Sequence, residues 1–152
     1  MRKTKAEQLQ MFEQPNPEET VFAYAKVYAL CDEAQDRMFN LSNVEDILRS
    51  MALQTFCVIS DDSKVKMFDL PNAKNLVLWF VHLEPLCARS IMRVFELPNA
   101  EDIFCVYARM WIIPIEAQRK ILTLPRAKEI FRIYTKKFSV SEEISKKLAE
   151  LN

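Results

Sequence analysis

Phe68-Asp69-Leu70-Pro71-Asn72-Ala73 returns as Phe95-Glu96-Leu97-Pro98-Asn99-Ala100, and more loosely as Leu122-Thr123-Leu124-Pro125-Arg126-Ala127. Each step is 27 residues. A fixed period in the range of about 20–50 residues marks an array in which one small supersecondary unit is stacked many times. The period therefore predicts the architecture and the kind of surface the chain offers. It names neither a reaction nor a partner.

Laid on this period, units start at Thr4, Cys31, Ser60, Cys87, Pro114 and Ser141, with a spacing of 27 residues everywhere except 29 between Cys31 and Ser60. The result is one repeat domain over 1–152, made of units 4–30, 31–59, 60–86, 87–113 and 114–140 and a half-unit 141–152. The eighth position reads Met11, Met38, Met67, Val94, Ile121 and Leu148, and the eleventh reads Gln14, Leu41, Leu70, Leu97, Leu124 and Leu151. The extra residues between Cys31 and Ser60 fall within Leu53 to Val58, which predicts a longer helix or a bulged turn there.

Each unit reads as two short helices. Thr4, Ser60 and Ser141 are good N-caps, because a side-chain oxygen accepts an amide proton that the first turn leaves free. Acids follow them, as in Asp61, Asp62, Glu142 and Glu143, where the helix dipole favours negative charge. Pro15, Pro71, Pro98 and Pro125 stop the first helix. Asn16, Asn43, Asn72 and Asn99 then stand as caps of the second helix, with an acid three residues after the cap position in Glu19, Asp46, Asp102 and Glu129. Arg126 and Asn75 depart from that pattern. Apolar rows such as Ala100, Ile103, Phe104 and Tyr107 step by three and four, the spacing of one buried helix face. One unit buries too little apolar surface to offset the entropy of ordering its backbone, so stacking supplies the remainder. Ser141 to Asn152, with Ile144, Leu148 and Leu151 on one face and charge elsewhere, reads as a capping helix.

Composition agrees with an all-helical chain. Glycine is absent, and tight hairpins usually need it for positive φ. The 21 basic and 21 acidic residues cancel, so no overall field draws nucleic acid or an anionic membrane. Cys31, Cys57, Cys87 and Cys105 form no C-x-x-C pair, which suits free thiols in a reducing compartment. No apolar run reaches the length of about 18 residues that a membrane span needs. The basic start at Arg2 and Lys3 is followed by no apolar signal segment. The cytoplasm is the expected location, with export as an effector left open.

In kind, the array resembles the tetratricopeptide, HEAT and armadillo class, although its unit is shorter and the tetratricopeptide signature is missing. It is more similar to short bacterial helical repeats of the form Leu-Pro-Asn-Ala-Glu and Leu-Cys-Asp-Glu-Ala-Gln. Those strings stand here as Leu97-Pro98-Asn99-Ala100-Glu101 and Leu30-Cys31-Asp32-Glu33-Ala34-Gln35. The resemblance covers nearly the whole chain. It implies an all-α fold, an α-solenoid of five two-helix repeats plus a C-terminal capping helix, and carries no biochemical activity with it.

Residues for chemistry are few. His82 is the only histidine, and no serine–acid or cysteine–asparagine partner is indicated for it. Cys31 and Cys87 fall at helix starts, where a thiol can become reactive, but they occupy the cap position that Ser60 holds elsewhere. Without glycine no phosphate loop can form. The expectation is no enzyme, no cofactor and no metal.

Function is expected where exposed positions depart from the repeat. On the second helices, two tracks four residues apart read Phe22 and Lys26, Arg49 and Leu53, Leu78 and His82, Cys105 and Arg109, Arg132 and Lys136. This ridge mixes apolar with basic groups and holds no acid. It suits an acidic or amphipathic peptide anchored on aromatic and arginine side chains. Trp79 is the one large residue in the column of Ala23, Ser50, Val106 and Ile133, and joins the ridge as a candidate anchor; Trp111 shares a column with Tyr28 and Phe138 and reads as core. The partner-binding candidates are therefore Phe22, Lys26, Arg49, Leu78, Trp79, His82, Arg109, Arg132 and Lys136. The expected molecule is a monomeric protein-interaction scaffold with a protein or peptide partner. The alternative is a helical repeat protein that reads nucleic acid, against which the zero net charge argues.

Overall fold

At Thr4, Ser60 and Ser141 the backbone is extended, with ψ of 166°, 153° and 160°. Each side-chain oxygen then reaches the amide three residues on, at Glu7, Ser63 and Ile144. Thr4 and Glu7 complete a reciprocal capping box. The structure, a computed structural model, describes residues 1–54 and 58–151. Among those residues there are eleven α-helices and no strand. The first helices of the units are α1 (Lys5–Gln10), α3 (Asp32–Met38), α5 (Asp61–Lys66), α7 (Ala88–Arg93) and α9 (Ile115–Ile121). The second helices are α2 (Pro17–Ala25), α4 (Val44–Ala52), α6 (Ala73–Phe80), α8 (Ala100–Met110) and α10 (Ala127–Tyr134), and α11 (Glu142–Glu150) follows. α1, α5 and α7 each run on into one 3-10 turn.

The apolar rows of the second helices are the core. Val44, Ile47, Leu48 and Met51 are buried, as are their equivalents Ala100, Ile103, Phe104 and Tyr107 and Ala127, Ile130, Phe131 and Tyr134. The chain divides into two compact units, Met1–Leu76 and Val77–Asn152. In the first, α1 packs on α3, α3 on α5 and α2 on α4; in the second, α8 packs on α10. Equivalent helices one period apart are thus neighbours within each.

Buried polar side chains join those neighbours. Gln35, 1% exposed, donates from Nε2 to the carbonyls of Leu30 and Val58 and accepts at Oε1 from the Ser60 amide, 2.8 Å away. Gln8 does the same one period earlier, accepting from the Cys31 amide at 2.8 Å and donating to the Lys3 carbonyl at 3.2 Å. Gln118 donates to the Ile113 carbonyl at 2.7 Å, while its Oε1 is buried without a partner. A tyrosine makes a second link. The Tyr24 hydroxyl accepts from the Lys3 amide and the Tyr134 hydroxyl from the Ile113 amide, at 3.0 and 3.3 Å. Tyr107 is bonded by the Leu86 backbone in the same way, and burial pushes its pKa up to about 12.

The asparagine caps are where structure and sequence part. Asn16, Asn43 and Asn99 precede their helices but make no side-chain cap. Their backbones, at ψ of 71°, 24° and 30°, lie outside the extended region that lets a cap oxygen turn back onto the first-turn amides. At Asn72 and Arg126 the backbone amide of the cap residue is bonded by a glutamate of the preceding unit. Glu45 accepts from the Asn72 amide at 3.0 Å and Glu101 from the Arg126 amide at 2.7 Å. Asn43 itself donates to the Glu18 carbonyl at 3.1 Å.

Trp111 is half-buried rather than core. Its indole N–H donates 2.8 Å to the Val81 carbonyl, so a polar bond at the end of a helix holds it at the edge. Gln54 bonds the corresponding Ala25 carbonyl in the first unit. As for the two extra residues, α4 ends at Ala52 in the register where α2 ends at Ala25, so the helix is not lengthened. The turn expected to be bulged includes residues 55–57, which lie outside the described residues.

Exposed ion pairs run between first helices. Lys5 pairs with Glu33 and Lys66 with Asp36. Arg119 on α9 grips Glu143 on α11 with both Nε and Nη2, at 3.1 and 2.9 Å, and Lys147 adds a bond of 3.0 Å. These cations lower the Glu143 pKa from 4.5 to about 2. A depressed carboxyl contributes stability that is present above its unfolded pKa and is lost as pH falls through the folded one. The Glu143 carboxyl should accordingly titrate near pH 2 by NMR, with amide exchange in α11 rising over the interval from 4.5 down to 2. Titration at the ordinary value would show that this pair does not hold α11.

Candidate functional site

The basic residues of the ridge come from two neighbouring helices. α8 begins with Glu101 and Asp102 and ends with Arg109 in its last turn; α10 begins with Glu129 and ends with Arg132. Acid first and base last is the order the helix dipole favours. Ala100, Ile103, Phe104 and Tyr107 turn one face of α8 inward, and Ala127, Ile130, Phe131 and Tyr134 do so for α10. Arg109 and Arg132 are left exposed on the other face. They meet Lys136, Lys137, Ile133 and Glu129 around an open depression of about 440 Å³.

The electrostatics of this depression are one-sided. Arg126 holds both oxygens of Glu129, from Nε at 2.8 Å and from Nη2 at 3.1 Å, and donates from Nη1 to Asp102 at 2.6 Å. Arg126 lowers the Glu129 pKa most, and the charges of Arg132 and Arg109 add to the effect. Glu129 is thus already engaged by a group outside the lining, which shares its single positive charge between Glu129 and Asp102. None of Arg109, Arg132 and Lys136 forms an ion pair among the described residues, whereas Arg119 and Arg126 are each paired. Two helix C-termini contribute about −0.5 of a charge each, which offsets only a fraction of four cations. The lining thus carries four cations and one carboxylate.

Of the expected binding residues, Arg109, Arg132 and Lys136 are brought together here. Leu78 and Trp79 on α6 are half-buried and His82 just beyond it is exposed, and none of the three lines the depression. Phe22, Lys26 and Arg49 belong to the first compact unit. There the Lys26 ammonium lies 4.0 Å from the centre of the Phe22 ring, and Arg49 stands 3.9 Å from Asp46. Those contacts are local to the ends of α2 and α4.

The ridge is interrupted at Cys105, which is 7% exposed. Arg126 lies across it, with Nη2 3.7 Å from the sulfur. Burial raises the thiol pKa, against the pull of Arg126, so this cysteine is not activated. Sequence reasoning missed Lys137 and read Glu129 only as a first-turn capping acid. The signal for Glu129 was the departure at Arg126, since an arginine three residues before a glutamate can fold over it. Among the described residues no group of three or more His, Cys, Asp and Glu is placed to hold a metal ion, and no helix is long and apolar enough to cross a membrane.

A second depression, of about 370 Å³, is lined by Lys3, Glu7, Gln10, Met11, Gln14 and Thr20. Its charges are mixed, and Glu7 is engaged by the amide and hydroxyl of Thr4. It has no counterpart to the free arginines of the first. Comparison with protein-family models, with curated proteins and with solved structures finds no match to this chain.

Proposed function

We propose that this chain is a non-catalytic interaction scaffold, an α-solenoid of five two-helix units with a capping helix, which binds an acidic protein segment on the ridge of its second helices. The observation that carries this reading is the convergence of Arg109, Arg132, Lys136 and Lys137 on one depression whose single lining acid, Glu129, is already bonded by Arg126. A folding role would pair these arginines, as it pairs Arg119 and Arg126. Left unpaired, two guanidinium forks can take carboxylates from outside without first breaking an internal ion pair. Ile133 beside them offers apolar contact to the rest of the segment. The described cysteines are free thiols, which supports work in the cytoplasm.

Affinity capture followed by mass spectrometry tests the reading. The Arg109→Glu, Arg132→Glu double variant should lose the proteins that the unaltered chain retains, with its helical circular dichroism unchanged. Each reversed arginine should weaken binding about tenfold or more. Equal capture by both would refute the reading. Retention of single-stranded RNA that falls steeply with salt, and no protein, would replace it with nucleic-acid binding.

A further inference from the structure

We infer that the depression between α8 and α10 takes a phosphorylated side chain of the partner, an inference that rests on the reading of the ridge as a peptide-binding surface. The charge balance favours it. A carboxylate brings one negative charge and two oxygens, so a single one leaves most of this lining unmatched. A phosphoserine or phosphothreonine brings a charge of about −1.5 to −2 and three strong acceptor oxygens. Arg109 and Arg132 can each offer a planar fork to such a group, and Lys136 and Lys137 act as point charges beside it. The two lysines follow the last turn of α10, where the dipole accounts for some positive charge. It does not account for two further arginines drawn from two helices to the same place without a partner.

Glu129 leaves the Arg132 guanidinium to a ligand. Held by Arg126 through both oxygens, it cannot swing across to neutralise Arg132. The volume of about 440 Å³ sits in the lower part of the range of ligand pockets and admits one such side chain. The opening leaves the flanking segment free to run along the exposed face of α10.

The test uses the whole chain and inorganic phosphate as the probe, against acetate at matched ionic strength. Phosphate should shift the Nε–H resonances of Arg109 and Arg132 in a saturable way, at least about tenfold more tightly than acetate. Arg109→Gln and Arg132→Gln should each weaken phosphate binding by about ten- to a hundredfold while the helical spectrum stays unchanged. A phosphoserine peptide should bind more tightly than its serine and glutamate versions, and that preference should vanish in Arg132→Gln. No saturable shift, or equal response to the two anions, overturns the proposal. If capture of protein partners still depends on Arg109 and Arg132 in that event, the peptide-binding reading stands with a carboxylate ligand; if capture is indifferent as well, both fail. Co-sedimentation with phosphatidylcholine vesicles carrying a phosphoinositide, together with no preference among the peptides, would overturn the peptide source in favour of a lipid headgroup.

Discussion

Gln35→Met lowers the stability of the chain by about 2–4 kcal/mol, and Gln8→Met and Gln118→Met lower it progressively less. The side chain of Gln35 is replaced by one of similar volume, so the loss is one of hydrogen bonds and not of packing. The Ser60 amide and the Leu30 carbonyl lose their partner inside the protein, while the Val58 carbonyl lies at an exposed residue and can find water. Each buried group left unsatisfied costs about 1–3 kcal/mol. For a chain of this size the melting temperature should fall by about 5–15 °C. Gln8 makes two such bonds, one to an exposed residue, and should cost less. Gln118 makes one bond and already carries an unpartnered oxygen, so its replacement should cost least, about 1 kcal/mol. Equilibrium unfolding in urea orders the three. Equal costs, or no cost above about 0.5 kcal/mol, would show that these glutamines merely fill space.

The row structure of the core was legible because helical periodicity and the repeat report the same fact twice. Ile103 and Phe104 are buried for the reason that Ile130 and Phe131 are. The links between units were not legible. Gln8, Gln35 and Gln118 recur at one position of the unit, but a side chain that reaches a neighbouring turn depends on the distance between units, which no single unit encodes. The same applies to the asparagines. Their sequence context matches a capping box, yet at Asn16, Asn43 and Asn99 ψ lies outside the extended region and the side chain makes no cap, while Glu45 and Glu101 bond the Asn72 and Arg126 amides from the preceding unit.

Of the ridge, Arg109, Arg132 and Lys136 could be read from their place between buried rows. The burial of Cys105 could not, because it depends on where the long side chain of Arg126 settles once it finds Glu129 and Asp102. Phe22 and Lys26 were legible as exposed or half-buried, but their mutual contact is a local stacking that spacing of four residues already allows.

If the chain is a stack of exchangeable units, removing one from the middle should be tolerated better than removing the one that closes an end. Deleting 87–113 joins Leu86 to Pro114 and keeps every remaining row in register. Ala73, Leu76, Val77 and Phe80 then stand where Ala100, Ile103, Phe104 and Tyr107 stood. Deleting 141–152 has no such compensation. It removes Ile144, which is fully buried, together with the Ser141 cap and the Arg119–Glu143 pair. Loss of a side chain like Ile144 alone costs about 2–5 kcal/mol, and the uncovered face around Ile121 and Ile130 should promote self-association.

Thermal unfolding followed by circular dichroism, with sedimentation to give the mass, distinguishes the two deletions. The chain lacking 87–113 should keep its helical signal per residue, melt cooperatively and remain monomeric, while the chain lacking 141–152 melts lower and associates. Should the internal deletion leave no cooperative transition and no more helix than a chain with a scrambled core, the protein would be a single helical domain with incidental repeats, and the stacked architecture would be contradicted.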